Sequence, residues 1–190
     1  MNQQLKRLMI VAMMLAMAII VNYMESFIPV FIPGVRLGLA NVIILIMVYE
    51  FKFYEALVVD LLRIFIVSLI RGTFLAPVFF MSLSGGMLSL LIMFLFSKIR
   101  IFTAVGSSAA GAFFHTAGQL AALIIISGTP TVMNYMPIIG FISIAAGVLS
   151  GFIAHLYLTR SITYNYTYVD TRYKERYSSV IKVEESSVED

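Results

Sequence analysis

Pro33-Gly34-Val35-Arg36-Leu37-Gly38-Leu39-Ala40-Asn41 leads straight into Val42-Ile43-Ile44-Leu45-Ile46-Met47-Val48, so a loop, one cation and one amide give way to a wholly apolar run. Pro33 and Gly34 punctuate the end of the loop. Arg36 then stands where a helix leaves water for lipid. A guanidinium on a long stem can serve there as an interfacial anchor or as a ligand contact. Asn41 lies about a turn further in. Read this way, the rest of the chain is a membrane scaffold holding that corner.

The composition agrees. Of 190 residues, 61% are hydrophobic and only 12% charged, and the mean hydropathy is +0.96, which is too apolar for a soluble domain. The chain reads as an all-α integral membrane protein. A span takes about 20 apolar residues, so residues 8–158 have room for about six with short turns. The runs fall near 8–24, 37–49, 55–70, 74–96, 102–127 and 135–158, predicting six transmembrane helices in one membrane domain, 1–158. After Arg160 the composition turns polar, and residues 159–190 read as a flexible cytoplasmic tail. Ala16-Met17-Ala18 lies inside the first run rather than after it, so that run is expected to stay as a helix and not to be cleaved as a leader.

Charge orients the spans. Lys6, Arg7, Lys52, Lys98, Arg100 and Arg160 fall on alternate connections that share one side, whereas the opposite connections hold only Arg36 and Arg71 as basic residues. Basic residues are retained in the cytoplasm, so both termini are expected there. The net charge of +3 is accounted for by these flanks, with no nucleic-acid partner implied. Cysteine is absent, which excludes disulfides, thiolate catalysis and thiolate metal sites. There is no phosphate-binding glycine loop and no aspartate-rich run for metal-bound diphosphate. The only aspartates are Asp60, Asp170 and Asp190. No enzyme is predicted, and ATP-driven work would have to come from another chain.

The third run carries the most chemistry. Asp60, Arg63 and Arg71 share a stripe about 80° wide at 3.6 residues per turn, with Ser68 at its edge. Ionisable residues within a span are costly unless paired, and the i, i+3 spacing lets Asp60 and Arg63 form a structural ion pair. Arg71 has no local acid and lies near the outer surface. On the fifth run Ser108, Gly111, Ala112, His115 and Gln119 project to one side. His115 lacks companions at metal-ligand spacing, so no metal site is expected. The expected ligand contacts are Arg36, Asn41, Arg71, His115 and Gln119, with the two outer arginines favouring a phosphate or carboxylate. Small-x-x-x-small pairs occur at Ala12 and Ala16, Ser82 and Gly86, and Gly147 and Gly151, each permitting close helix approach.

Pro33–Asn41, Gly72-Thr73-Phe74-Leu75, Ser84-Gly85-Gly86 and His115-Thr116-Ala117-Gly118-Gln119, in that order, resemble the bacterial membrane family labelled heptaprenyl diphosphate synthase component I, also called the Gx transporter family. That family is similar to the substrate-binding S components of energy-coupling factor (ECF) transporters. The resemblance implies an S-component-like six-helix bundle in the bacterial cytoplasmic membrane, with an outer pocket for a vitamin-like ligand. It also implies an Ala-x-x-x-Ala face, matched by Ala12 and Ala16, that docks on a transmembrane coupling subunit working with an ATPase pair. The alternative it implies is an accessory subunit beside a prenyl synthase, or beside flavin- and quinone-linked electron-transfer proteins. A flavin or prenyl quinone would then be the ligand, and no resident cofactor is expected.

Overall fold

The structure is a computed structural model and describes residues 3–25, 27, 39–99 and 102–163. Arg36, with the rest of Pro33–Gly38, and residues 164–190 lie outside the described residues. Those described form six α-helices, α1 (Gln3–Glu25), α2 (Asn41–Glu50), α3 (Phe53–Ile70), α4 (Pro77–Lys98), α5 (Ala104–Ser127) and α6 (Met136–Thr163). A short 3-10 turn, Pro130–Tyr135, leads into α6. No strand occurs among the described residues, and the chain is all α.

Four of these stretches are long and apolar enough to cross a membrane: Gln4–Glu25, Pro77–Lys98, Ala104–Ser127 and Pro130–Arg160. The other two helices fall short for different reasons. α3 carries Glu55, Asp60 and Arg63 within its 18 residues. α2 has 10 residues, a rise of about 15 Å against a hydrocarbon core about 30 Å thick.

α2 is nevertheless the centre of the bundle. It packs against all five other α-helices, and every residue but Val42 is buried. A helix that is apolar all round is suited to burial, because it has no polar face to present. Its Ile44, Leu45 and Met47 are fully enclosed and pack with Met14 and Ala18 of α1, Val59 of α3, Leu90 and Met93 of α4, and Ala154 and Leu158 of α6. Lipid tails are as apolar as these side chains, so close packing and hydrogen bonds, not escape from water, hold such contacts together.

Glycines set how closely the outer helices approach. A β-carbon at Gly147 would lie 2.7 Å from that of Ala112, and one at Gly151 would lie 2.7 Å from the Val105 α-carbon, so α6 rides almost backbone to backbone on α5. Gly118 of α5 and Gly85 of α4 meet in the same manner, a β-carbon on Gly118 falling 3.0 Å from the Gly85 α-carbon. At the α2–α3 end, Arg7 of α1 bonds Glu55 of α3 at 2.6 Å, and Glu55 also accepts the Lys52 backbone N–H that opens α3. The opposite face of α1, with Leu8, Met9, Met13, Met17, Ile20 and Met24, is exposed. α6 runs beyond the expected limit at 158 to Thr163, and the Thr159 hydroxyl donates back to the His155 carbonyl.

Candidate functional site

Where α2 begins, Asn41 is brought beside the middle of α3. Its side-chain oxygen accepts from Arg63 Nη2 at 2.8 Å, and its Nδ2 donates to Ser89 Oγ of α4 at 3.0 Å. Arg63 turns the other way along its own helix to Asp60, placing Nε at 2.7 Å and Nη2 at 2.6 Å from the same carboxylate oxygen, Oδ1. Asp60 and Arg63 are 0% and 2% exposed, so this is an ion pair removed from both water and lipid. Such a pair persists only if hydrogen bonds offset its desolvation, and Asn41 and Ser89 extend the set across α2, α3 and α4. The second oxygen, Oδ2, has no hydrogen-bond partner and lies against Gly86, where an added β-carbon would come within 3.0 Å. Glycine at 86 is what lets the carboxylate sit so close to α4.

The neighbouring glycine serves the other side of the same helix. A β-carbon at Gly85 would lie 2.7 Å from the His115 carbonyl oxygen and 2.8 Å from Gln119 Cγ. The pair Gly85-Gly86 therefore thins α4 between two buried polar groups, the ion pair on α3 and the His115–Gln119 pair on α5. His115 and Gln119 are 5% and 0% exposed, with 2.8 Å between His115 Nε2 and Gln119 Nε2. The face expected on α5 is thus shared out. His115 and Gln119 meet α4, Gly111 meets Met93 of α4, Ala112 meets Gly147 of α6, and the Ser108 hydroxyl lies 3.1 Å from that of Ser150.

Arg71 sits elsewhere, at the end of α3. The helix closes in a Schellman arrangement: Gly72 takes φ 64°, its N–H bonds the Leu69 carbonyl at 3.1 Å, and the Thr73 N–H bonds the Ser68 carbonyl at 2.9 Å. Gly72 is where the turn needs a left-handed residue, which explains the first member of the Gly72-Thr73-Phe74-Leu75 motif. With these carbonyls satisfied by backbone, the Arg71 guanidinium has no capping task. Half-buried, it makes no ion pair or hydrogen bond among the described residues. It also makes no hydrogen bond to His115 or Gln119.

Of the sequence-predicted contacts, the structure therefore joins Asn41 to the Asp60–Arg63 pair, joins His115 to Gln119, and leaves Arg71 apart. Arg36 lies outside the described residues. Ala12 and Ala16 are exposed on α1, while Asn22 of the same helix is buried. Sequence reasoning missed Ser89, whose signal was its position three residues past Gly86 on the same face of α4. Among the described residues no three His, Asp or Glu side chains gather as a metal site. A separate groove of about 490 Å³, lined by Phe113, Met133, Met136, Gly140 and Phe141, carries no charged group.

No curated protein and no solved structure matches the chain. The family model described as heptaprenyl diphosphate synthase component I matches residues 14–157, a stretch that takes in α2 to α5 whole, both glycine junctions and the buried polar set of Asn41, Asp60, Arg63 and Ser89. On that match, the chain belongs to the heptaprenyl diphosphate synthase component I family.

Proposed function

We propose that this chain is a non-catalytic, substrate-binding subunit of the bacterial cytoplasmic membrane, resembling an ECF S component, that holds a small anionic ligand at its outer side. The observation that carries the reading is Arg71, a half-buried guanidinium with no acid partner among the described residues, beside a helix end that does not need it. A planar fork of donors matches the oxygens of a phosphate or carboxylate. Arg36 is assigned to the same outer level, with both termini cytoplasmic. His115 with Gln119 on one side of α4, and Asp60 with Arg63 and Asn41 on the other, form the scaffold beneath it. Asn41 thereby moves from ligand contact to scaffold, because both ends of its amide are engaged within the bundle.

The exposed face of α1 supports dependence on a partner. Ala12 and Ala16 interrupt a stripe of methionine, leucine and isoleucine, so a partner's backbone can approach closely there. In the transport reading the partner is a coupling subunit with its ATPase pair. The family's name favours a second reading, in which the partner is a prenyl synthase that holds the chemistry, and a flavin- or quinone-linked redox protein would fill the same place. A flavin or prenyl quinone would be the ligand in that case.

Copurification tests both parts. The wild-type chain should retain an anionic ligand identifiable by mass spectrometry, and Arg71→Ala should lose it. Ala12→Leu with Ala16→Leu should keep the ligand and lose the partner, whose identity then chooses between the readings. If Arg71→Ala keeps its ligand while Arg63→Ala loses it without loss of stability, the assignments of site and scaffold are reversed.

A further inference from the structure

Arg71 is followed at once by a set of aromatic and apolar side chains that the proposed function leaves unused. Phe65 of α3, Phe74 of the connection and Phe79 and Phe80 of α4 form a continuous run of edge-to-face rings. Their centroids are 5.1 Å apart from Phe65 to Phe74, 5.2 Å from Phe74 to Phe79 and 5.4 Å from Phe79 to Phe80. The rings span the α3–α4 junction. Phe65, Phe74 and Phe80 also stay exposed there.

The backbone is strained to the same end. Leu75 has φ 61°, a left-handed conformation that costs a residue with a branched side chain about 1–2 kcal/mol. Its side chain gains no burial in return, being 63% exposed. The connection is nonetheless held by backbone hydrogen bonds. Ala76 N–H bonds the Thr73 carbonyl at 3.1 Å, Phe79 N–H bonds the Ala76 carbonyl at 2.9 Å, and Pro77 starts α4. Strain kept without local benefit, close to exposed rings and to a cation with no partner among the described residues, is the pattern of a surface shaped for a ligand.

We infer that this corner binds an amphiphilic phosphate: a phosphoryl group on the Arg71 guanidinium, with its hydrocarbon chain lying in the lipid against Phe65, Phe74, Leu75 and Phe80. This rests on Arg71 being the anion contact of the proposed function, and it names the class of ligand. The charge and the apolar wall are complementary to the two ends of one molecule. A fully soluble anion would use only the first, and leave the rings and the Leu75 strain without a purpose. The nearest acid on α3, Asp60, is already held by Arg63 and lies about 16 Å deeper at 1.5 Å per residue, so it does not compete for Arg71.

The test uses the purified full chain in a neutral detergent, with dodecyl phosphate, dodecanol and inorganic phosphate as probes. Dodecyl phosphate should raise the thermal midpoint in a saturable way, while dodecanol and inorganic phosphate at equal concentration should not. Arg71→Gln should weaken the dodecyl phosphate response about tenfold, and Arg71→Lys by less, since the charge remains while the fork is lost. Phe74→Leu keeps an apolar side chain and should retain the dodecyl phosphate response, whereas Phe74→Ser should weaken it. Repeating the titration in phosphatidylglycerol nanodiscs separates the sources. Retained dodecyl phosphate binding identifies a carried single-chain phosphate, and its displacement assigns the same amphiphile site to bilayer lipid. Equal binding of inorganic and dodecyl phosphate through Arg71 would overturn this inference and leave the proposed anion site standing. Binding of neither phosphate would overturn both.

Discussion

Arg63 and Arg71 stand eight residues apart on one helix, facing within about 80° of each other, yet the bundle treats them in opposite ways. Arg63 is 2% exposed and bonded to Asp60 and Asn41, whereas Arg71 is half-buried and free of protein partners among the described residues. What separates them is what stands opposite. The middle of α3 faces α2 and Gly86 of α4, which close around it. The end of α3 faces its own connection, which closes the helix through backbone bonds and leaves the guanidinium unused. A cation enclosed on all sides serves as scaffold, while one with an open side is available to a ligand.

The comparison is broken most directly at Arg63. Arg63→Ala should cost about 3–5 kcal/mol by leaving the Asp60 carboxylate buried without its partner, read as loss of thermal stability in detergent. Asp60→Asn combined with Arg63→Met should recover most of that loss, because no buried charge remains. An unchanged midpoint for Arg63→Ala would mean that the pair is not scaffold.

A smaller effect tests the glycine wall between the two polar groups. Gly85→Ala should destabilise by about 1–3 kcal/mol, since its β-carbon meets the His115 carbonyl oxygen at 2.7 Å and backbone cannot swing aside as a side-chain tip can. Gly86→Ala should cost less than Gly85→Ala if the Ile64 methyl that it meets rotates away. If both substitutions are silent, the helices are further apart than described and the two polar groups do not depend on α4 being thin.

At the open end, Gly72→Ala meets no atom within 4 Å, so its cost should be the left-handed backbone alone, about 1–2 kcal/mol. Arg71→Ala should be the mildest for stability, within about 0.5 kcal/mol, while reducing ligand retention most. A large loss of stability on truncating Arg71 would erase the contrast with Arg63 and place both arginines in the scaffold.

Helical periodicity explains why part of this was legible from the residues. Spacing at i, i+3 puts Asp60 within reach of Arg63 wherever α3 packs, and the pair is there at 2.6 Å. The exposed Ala12 and Ala16 and the buried Asn22 likewise follow from the angle between positions on one helix. Partners on other helices were not legible. The pairing of His115 with Gln119 lies within α5, but nothing near them in sequence shows that Gly85 and Gly118 bring the α4 backbone against that pair. Asn41 was read as a ligand contact because its own neighbours are apolar, and nothing local points to Ser89, 48 positions away.

The sequence by itself determined that the chain is helical and membrane-suited, which residues share each helical face, and that Asp60 and Arg63 are spaced to pair. These follow from hydropathy and from the fixed pitch of the helix, which are local properties. Only the tertiary structure decided that the ten-residue α2 is the enclosed centre, that Gly85 and Gly86 face different helices, and that two arginines of one stripe divide into scaffold and open cation. Those outcomes depend on which face of each neighbour comes opposite and how closely, and that is set by small residues acting in pairs across helices far apart in the chain.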